Sequence, residues 1–356
     1  LPAIIKLYDS RKINLAAPLS DYYPPLKETD KKDITVQEVL CHNAGLKTFL
    51  PLFTDAIDPK SLPGPLVTSK RTAHNTTRLK DRLYVNLNYR FKDSTVSNSP
   101  KPGYKYMEPG LYMFPAYQDT IRSCILHSPL NPKKEYAYSD LGFILLKFAV
   151  EHVTEKSLDQ YCQEEFYRKL GMHHTDFLAH KRLNKNNLVP SCVDKLYRKT
   201  ELKGYVHDPI AALLGGIAGH AGLFSTAEDL AKMMQLYLNG GTYGGEYYFS
   251  PETMATFSCK NNLFPKNRRG LGFDKPEPDQ TKINPVSKCL PLTSFGHTGF
   301  TGIMAWCDPD NKLLYLFLSN RTYPDEFNTK LSEMNIRTQI QDIIYQALEE
   351  SKIRYN

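Results

Sequence analysis

The run His297-Thr298-Gly299-Phe300-Thr301-Gly302 passes directly into Ile303-Met304-Ala305-Trp306-Cys307, then through Asp308-Pro309-Asp310-Asn311 into a second apolar run, Lys312 to Asn320. No other stretch restricts the fold as much. Two short apolar runs joined by a Pro/Asp/Asn turn predict a β-hairpin. The lead into it is chemically specific: an imidazole, a small hydroxyl, then glycine, which lets backbone N–H groups approach a substrate carbonyl closely. From about Asn328 onward, Ile336, Ile340, Ile343, Ile344 and Leu348 recur at helical spacing and predict a closing helix.

A chain of 356 residues with 41% hydrophobic content can bury a large core and exceeds the usual size of one compact unit. Two subdomains around one cleft are expected: a mainly helical one over 1–239, and one over 240–356 where the pattern turns to strands and the closing helix. Between Lys47 and Glu135 the sequence is rich in Pro, Tyr, Asn and basic residues without sustained periodicity, and reads as a long excursion. Its part over about 47–117 is expected to be a basic, lid-like insertion. Ten Lys/Arg between Lys60 and Lys105 face only Asp81 and Asp93. They form either a solvated surface or a flap that attracts anionic substrates or envelope polymers. No nucleic-acid-binding module accompanies them.

The seven cysteines lack the paired short spacings of a zinc site, and Cys41 and Cys307, in apolar runs, read as buried free thiols. No run approaches the roughly 18 apolar residues needed to cross a bilayer.

Four further elements are legible. Ile34 to Leu40 predicts a short helix with Thr35 and Glu38 as a capping box, ending in a turn at His42, which reads as a structural histidine. Tyr138-Ser139-Asp140 opens an apolar helix through Val150. Gly215 to Phe224 is glycine-rich, and within it His220 is either a cleft wall or a packing residue. Ser225 with Glu228 fits a second capping box.

The order and spacing of these elements resembles the serine β-lactamase-like family, which includes class C β-lactamases, penicillin-binding proteins, D-alanyl-D-alanine carboxypeptidases and related esterases. Val206-His207-Asp208 ahead of the glycine-rich stretch, and Ser319-Asn320-Arg321, look most like β-lactamase domains attached to bacterial family 3 β-N-acetylglucosaminidases. The resemblance implies an α+β, β-lactamase/transpeptidase-like fold: an antiparallel sheet flanked by helices, plus a mostly helical subdomain, with its N-terminal part missing here. It further implies a serine hydrolase that works through an acyl-enzyme on small-molecule or peptidoglycan-derived amides or esters. No metal and no cofactor are expected, the resemblance implies a periplasmic or otherwise extracytoplasmic location, and it is compatible with an upstream glycosidase domain in the parent protein.

The family pattern has three catalytic elements: Ser-x-x-Lys, Tyr-x-Asn and Lys/His-Thr-Gly. No serine in this chain is followed three residues later by lysine. The resemblance places that motif directly ahead of Pro2 to Leu15, so the serine is expected about two helical turns before Leu1, on the order of 11 Å along the axis. The other reading is a genuine helix start with Pro2 at its first position, and a non-catalytic binding domain.

By the resemblance, Tyr138 relays protons and Phe300 offers its N–H to the oxyanion, with Thr298 and Gly299 lining the same edge. Asp140 stands where asparagine is usual, and an ionised aspartate can only accept hydrogen bonds. It is expected to pair with the lysine of the nucleophile helix. His297 stands where lactamases carry lysine, and is expected to orient a substrate carboxylate or hydroxyl.

Overall fold

The structure is a computed structural model that describes residues 1–355, with side chains through Ser351. Phe295–Thr298, Met304–Asp308 and Leu313–Phe317 form a three-stranded antiparallel sheet in that order, with His297 opposite Ala305 and Trp306 opposite Tyr315. Successive side chains of a strand point to opposite faces, and the middle strand divides accordingly. Met304 and Trp306 enter a small cluster with Val286, Leu290, Tyr315 and Tyr345, whereas Ala305 and Cys307 face the main core. The helix Ala227–Leu238 lies on that second side, where the Met234 carbonyl accepts from Cys307 Sγ at 3.4 Å. Covered on both faces, the sheet needs the continuous apolar runs seen in the sequence.

The closing helix is broken. Lys330–Glu333 is followed by Asn335 at φ 50° and then by Ile336–Tyr355. Ile344, Tyr345 and Leu348 pack on the sheet, while Ile340 and Ile343 are exposed, so the covering stripe is narrower than the periodicity suggests.

The expectation of strands beyond Gly240 needs correction. A short hairpin, Thr242–Tyr243 with Glu246–Tyr247, leads into the helix Pro251–Ser258, and the sheet begins only at Phe295. That helix packs on the opening helix Pro2–Asp9, where Asp9 Oδ1 accepts from the Ser250 N–H and the Thr253 hydroxyl at 2.8 Å each. The Val36–Leu40 helix carries its capping box: Glu38 N–H donates to Thr35 Oγ1 and Thr35 N–H to Glu38 Oε2. The second capping box shifts by one residue. Thr226 caps, accepting from the Asp229 N–H, and the Ser225 hydroxyl instead pairs with Thr175.

The excursion is more ordered than its composition suggests. It forms two small three-stranded antiparallel sheets, one from Val67–Thr68, Leu83–Val85 and Thr77–Lys80, the other from Val96–Ser97, Leu111–Met113 and Lys105–Glu108. Leu52, Val96, Leu111 and Met113 join the main core, while all ten basic residues from Lys60 to Lys105 are exposed. One buried cation ties it down. Arg198 donates from Nη1 to Glu108 Oε1 and from Nε to Asp194 Oδ2, each at 2.6 Å, and to the Val206 and His207 carbonyls.

All seven cysteines are free, with Cys41, Cys162, Cys192 and Cys307 buried. Among the described residues, no group of three or more His, Cys, Asp and Glu could hold a metal ion, and no helix is long and apolar enough to cross a membrane.

Candidate functional site

The turn at His42 builds one wall of the site. His42 sits at φ 55°, its carbonyl accepts from the Ala137 N–H at 2.9 Å, and its Nδ1 accepts from the Ser139 N–H at 3.0 Å. Ser139 Oγ in turn donates to the Lys47 carbonyl at 2.7 Å. This clamp holds Tyr138 at the mouth of the helix Asp140–Thr154, with the His42 ring 4.4 Å from the Tyr138 ring and 5.4 Å from that of Phe143. Burial, with Arg269 and His297 nearby, pushes the His42 imidazole down to about 3. It stays neutral and structural.

The edge strand builds the facing wall. His297 and Tyr138, far apart in sequence, stand with ring centroids 6.2 Å apart. His297 Nδ1 lies 2.7 Å from the Thr298 carbonyl, and its Nε2 lies 3.0 Å from Nη1 of Arg269. Burial first, and the Arg269 charge second, lower the His297 pKa.

Arg269 was invisible to sequence reasoning. Only 4% exposed, it donates from Nε to the Tyr136 hydroxyl at 3.1 Å and places its guanidinium 5.3 Å from the centre of the Tyr138 ring. Its backbone is pinned by Gly270, where a Cβ would lie 2.5 Å from the Phe257 carbonyl. The only hint in the chain is Arg268-Arg269 ahead of Gly270-Leu271-Gly272-Phe273-Asp274, a pair of charges inside an otherwise apolar, glycine-punctuated segment.

Asp140 lies at the helix start beside a second acidic–imidazole pair, in which His220 Nε2 and Asp208 Oδ1 are 3.0 Å apart. Burial raises the Asp140 pKa, Asp208 adds to the rise and His220 opposes it. Among the described residues, the charges bearing on it are these two. His220 is a packing residue: it is nearly buried, and at Gly219 a Cβ would lie 1.9 Å from the Phe143 carbonyl, so the segment crosses the helix at close range. Burial, and next the Asp140 charge, raise the Tyr138 pKa, which keeps the phenol neutral although its ring is 41% exposed.

Thr298 ends the edge strand opposite Met304, and the Gly299 N–H donates to the Ile303 carbonyl at 2.7 Å, closing a tight turn. Phe300 stands on the rim at 63% exposure, its ring stacked on His207 at 5.1 Å with the Arg321 guanidinium 4.5 Å from its centre. Thus Tyr138 and His297 come together and Asp140 lies near Tyr138, Asp208 and His220, while the Phe300 side chain looks outward.

Comparison with known proteins agrees with this architecture. An Escherichia coli (strain K12) protein named "Putative D-alanyl-D-alanine carboxypeptidase" is 35% identical over 213 residues, which is 56% of this chain and 48% of that protein. A Salmonella gallinarum protein of the same name is 31% identical over 242 residues, 62% of this chain and 54% of that one. The chain thus spans about half the length of these relatives. Among solved structures, EstCE1, titled a hydrolase with promiscuous acyltransferase activity, superposes with a TM-score of 0.57 at 17% identity, covering 97% of this chain and 81% of that one. A penicillin-binding protein homologue from Caulobacter crescentus gives 0.54 at 17% identity, covering 90% and 74%. These likenesses speak for the fold. The sequence itself matches the Beta-lactamase family over residues 3–335, and the chain belongs to that family.

Proposed function

We propose that this chain is the body of a serine hydrolase that cleaves an amide or ester of a cell-wall or related small substrate through an acyl-enzyme, with the Ser-x-x-Lys contributed by residues ahead of Leu1. The observation that carries the reading is the convergence of Tyr138 and His297, whose ring centroids lie 6.2 Å apart. The carboxypeptidase name of the relatives points to peptidoglycan-derived substrates and an extracytoplasmic site of action.

In this reading the serine hydroxyl adds to the substrate carbonyl while the lysine takes its proton. Tyr138, held as a neutral phenol by burial and by Asp140, can then hand a proton to the leaving group. The Phe300 N–H serves as one oxyanion donor and the serine's own N–H as the other. Losing one such donor typically costs about 3 kcal/mol of transition-state stabilisation, and residues 1–356 alone also carry neither the serine nor the lysine, so they should be nearly inactive.

The test compares the natural full-length protein with this chain, using a fluorescent penicillin and a fluorophosphonate read by intact mass, and short-chain ester and D-alanyl-D-alanine peptide hydrolysis. A single labelled serine outside this chain, with Tyr138→Phe lowering turnover about 10²- to 10⁴-fold, is the expected result. Full-length protein that takes no label and hydrolyses neither substrate is a non-catalytic binding domain instead.

A further inference from the structure

We propose that Arg269 is the positioning residue of this site: it locks His297 as the neutral Nδ1–H tautomer and itself supplies the permanent positive charge at the head of the edge strand. The inference rests on the hydrolase reading for its functional meaning, but its structural content stands on the geometry alone.

A guanidinium carries only donors and stays protonated at all accessible pH. With Arg269 Nη1 3.0 Å from His297 Nε2, that nitrogen must present its lone pair. The remaining ring proton is then on Nδ1, where the Thr298 carbonyl lies 2.7 Å away as its acceptor. Both ring nitrogens are thereby committed to protein partners. A second proton on the ring would set imidazolium against guanidinium in a buried site.

The groups around the ring agree. His42 and Tyr138 face it from the Tyr138 wall, Tyr136 bonds Arg269 Nε, and Arg268 and Asp274 flank it from the 268–274 segment. Asp274 pairs with both arginines. Its carboxylate takes two hydrogen bonds of 2.9 Å from Arg268, leaving Arg269 Nη2 3.6 Å away. With Nη2 towards Asp274, Arg269 turns Nη1 to His297 and lays its guanidinium on the Tyr138 ring face, an arrangement that attracts a cation to the aromatic quadrupole.

Two consequences follow for the proposed reaction. His297 neither donates from Nε2 nor exchanges protons with substrate, so the acid limb of a pH–rate profile reports some other group. The cation that lactamases carry as a strand lysine is delivered here from a different segment, one hydrogen bond behind the strand.

Nitrogen-15 NMR of the ring nitrogens of selectively labelled His297 tests this directly in the intact chain. The expected result is a pyrrole-type Nδ1 and a pyridine-type Nε2 that do not titrate between about pH 5 and 8. An Nε2–H tautomer, or a midpoint near the ordinary value of about 6.5, overturns the inference without any variant. Arg269→Gln is expected to restore titration of His297 towards that value, and Arg269→Lys to keep it neutral, with thermal melts confirming that each variant folds. Titration unchanged in a folded Arg269→Gln would also overturn it. In the full-length protein, Arg269→Gln should lower kcat more than it raises KM and add a new ionisation to the acid limb. A full-length protein that shows the Nδ1–H tautomer yet hydrolyses nothing fails the hydrolase reading and leaves the tautomer assignment supported.

Discussion

The sheet of Phe295–Phe317 and the excursion over 47–117 are both built from three-stranded antiparallel units, yet they depend on different physics. The sheet is buried on both faces, and its middle strand sends alternate side chains into two separate apolar clusters. The excursion's strands are two to four residues long and mostly half-covered, and its ten basic side chains from Lys60 to Lys105 all point to water. Its deep attachments are a buried ion pair, Arg198 to Glu108, and a few apolar side chains, Leu52, Val96, Leu111 and Met113, that reach the main core. The difference teaches that the edge carrying His297 is held by packing that tolerates little change, whereas the excursion can vary over its exposed face around a few buried anchors.

The sharpest way to break this comparison is Trp306→Ala. Trp306 is 1% exposed in the smaller cluster, and truncating a buried aromatic costs about 3–5 kcal/mol. Urea unfolding followed by circular dichroism should show that loss, and a smaller one for Leu79→Ala in the excursion. Next comes Arg198→Met. Removing one member of a buried ionic cluster leaves its carboxylates unpaired and costs about 3 kcal/mol or more, and limited proteolysis should then cut first within 47–117.

An intermediate effect comes from pH. The folded pKa of His42, about 3, lies below the unfolded value of about 6.5, so the unfolded chain binds more protons between them. Stability is therefore complete above about pH 6.5 and falls as pH drops towards 3, at no more than about 1.4 kcal/mol per unit from this group. His297, whose pKa is also lowered, acts in the same direction. His42→Asn, which tolerates a positive φ, should give a shallower acid decline in melting temperature. The smallest expected effect is from Arg71→Glu on the exposed excursion, within about 0.5 kcal/mol of the parent. A larger loss there would mean that the exposed basic face also contributes to holding the excursion.

Much of the site's frame was legible because local rules encode it. The hairpin after His297, the Thr35–Glu38 capping box and the Tyr138-led helix each depend on residues within a few positions of one another. The excursion's sheets were missed because their strands are too short for a period of two to register. The shift from Ser225 to Thr226 as cap was missed because both residue types satisfy the same pattern, and only the contact with Thr175 chose between them.

By itself, the order of residues determined the hairpin after His297, the capped helix at Thr35 and the apolar helix led by Tyr138, since hydrophobic spacing and capping chemistry act over single turns. Tertiary structure alone decided that Arg269 faces His297 and that Asp140 lies beside Asp208 and His220. A buried charge is defined by acceptors and neighbouring charges drawn from distant segments, and no local pattern names those partners before the chain has folded.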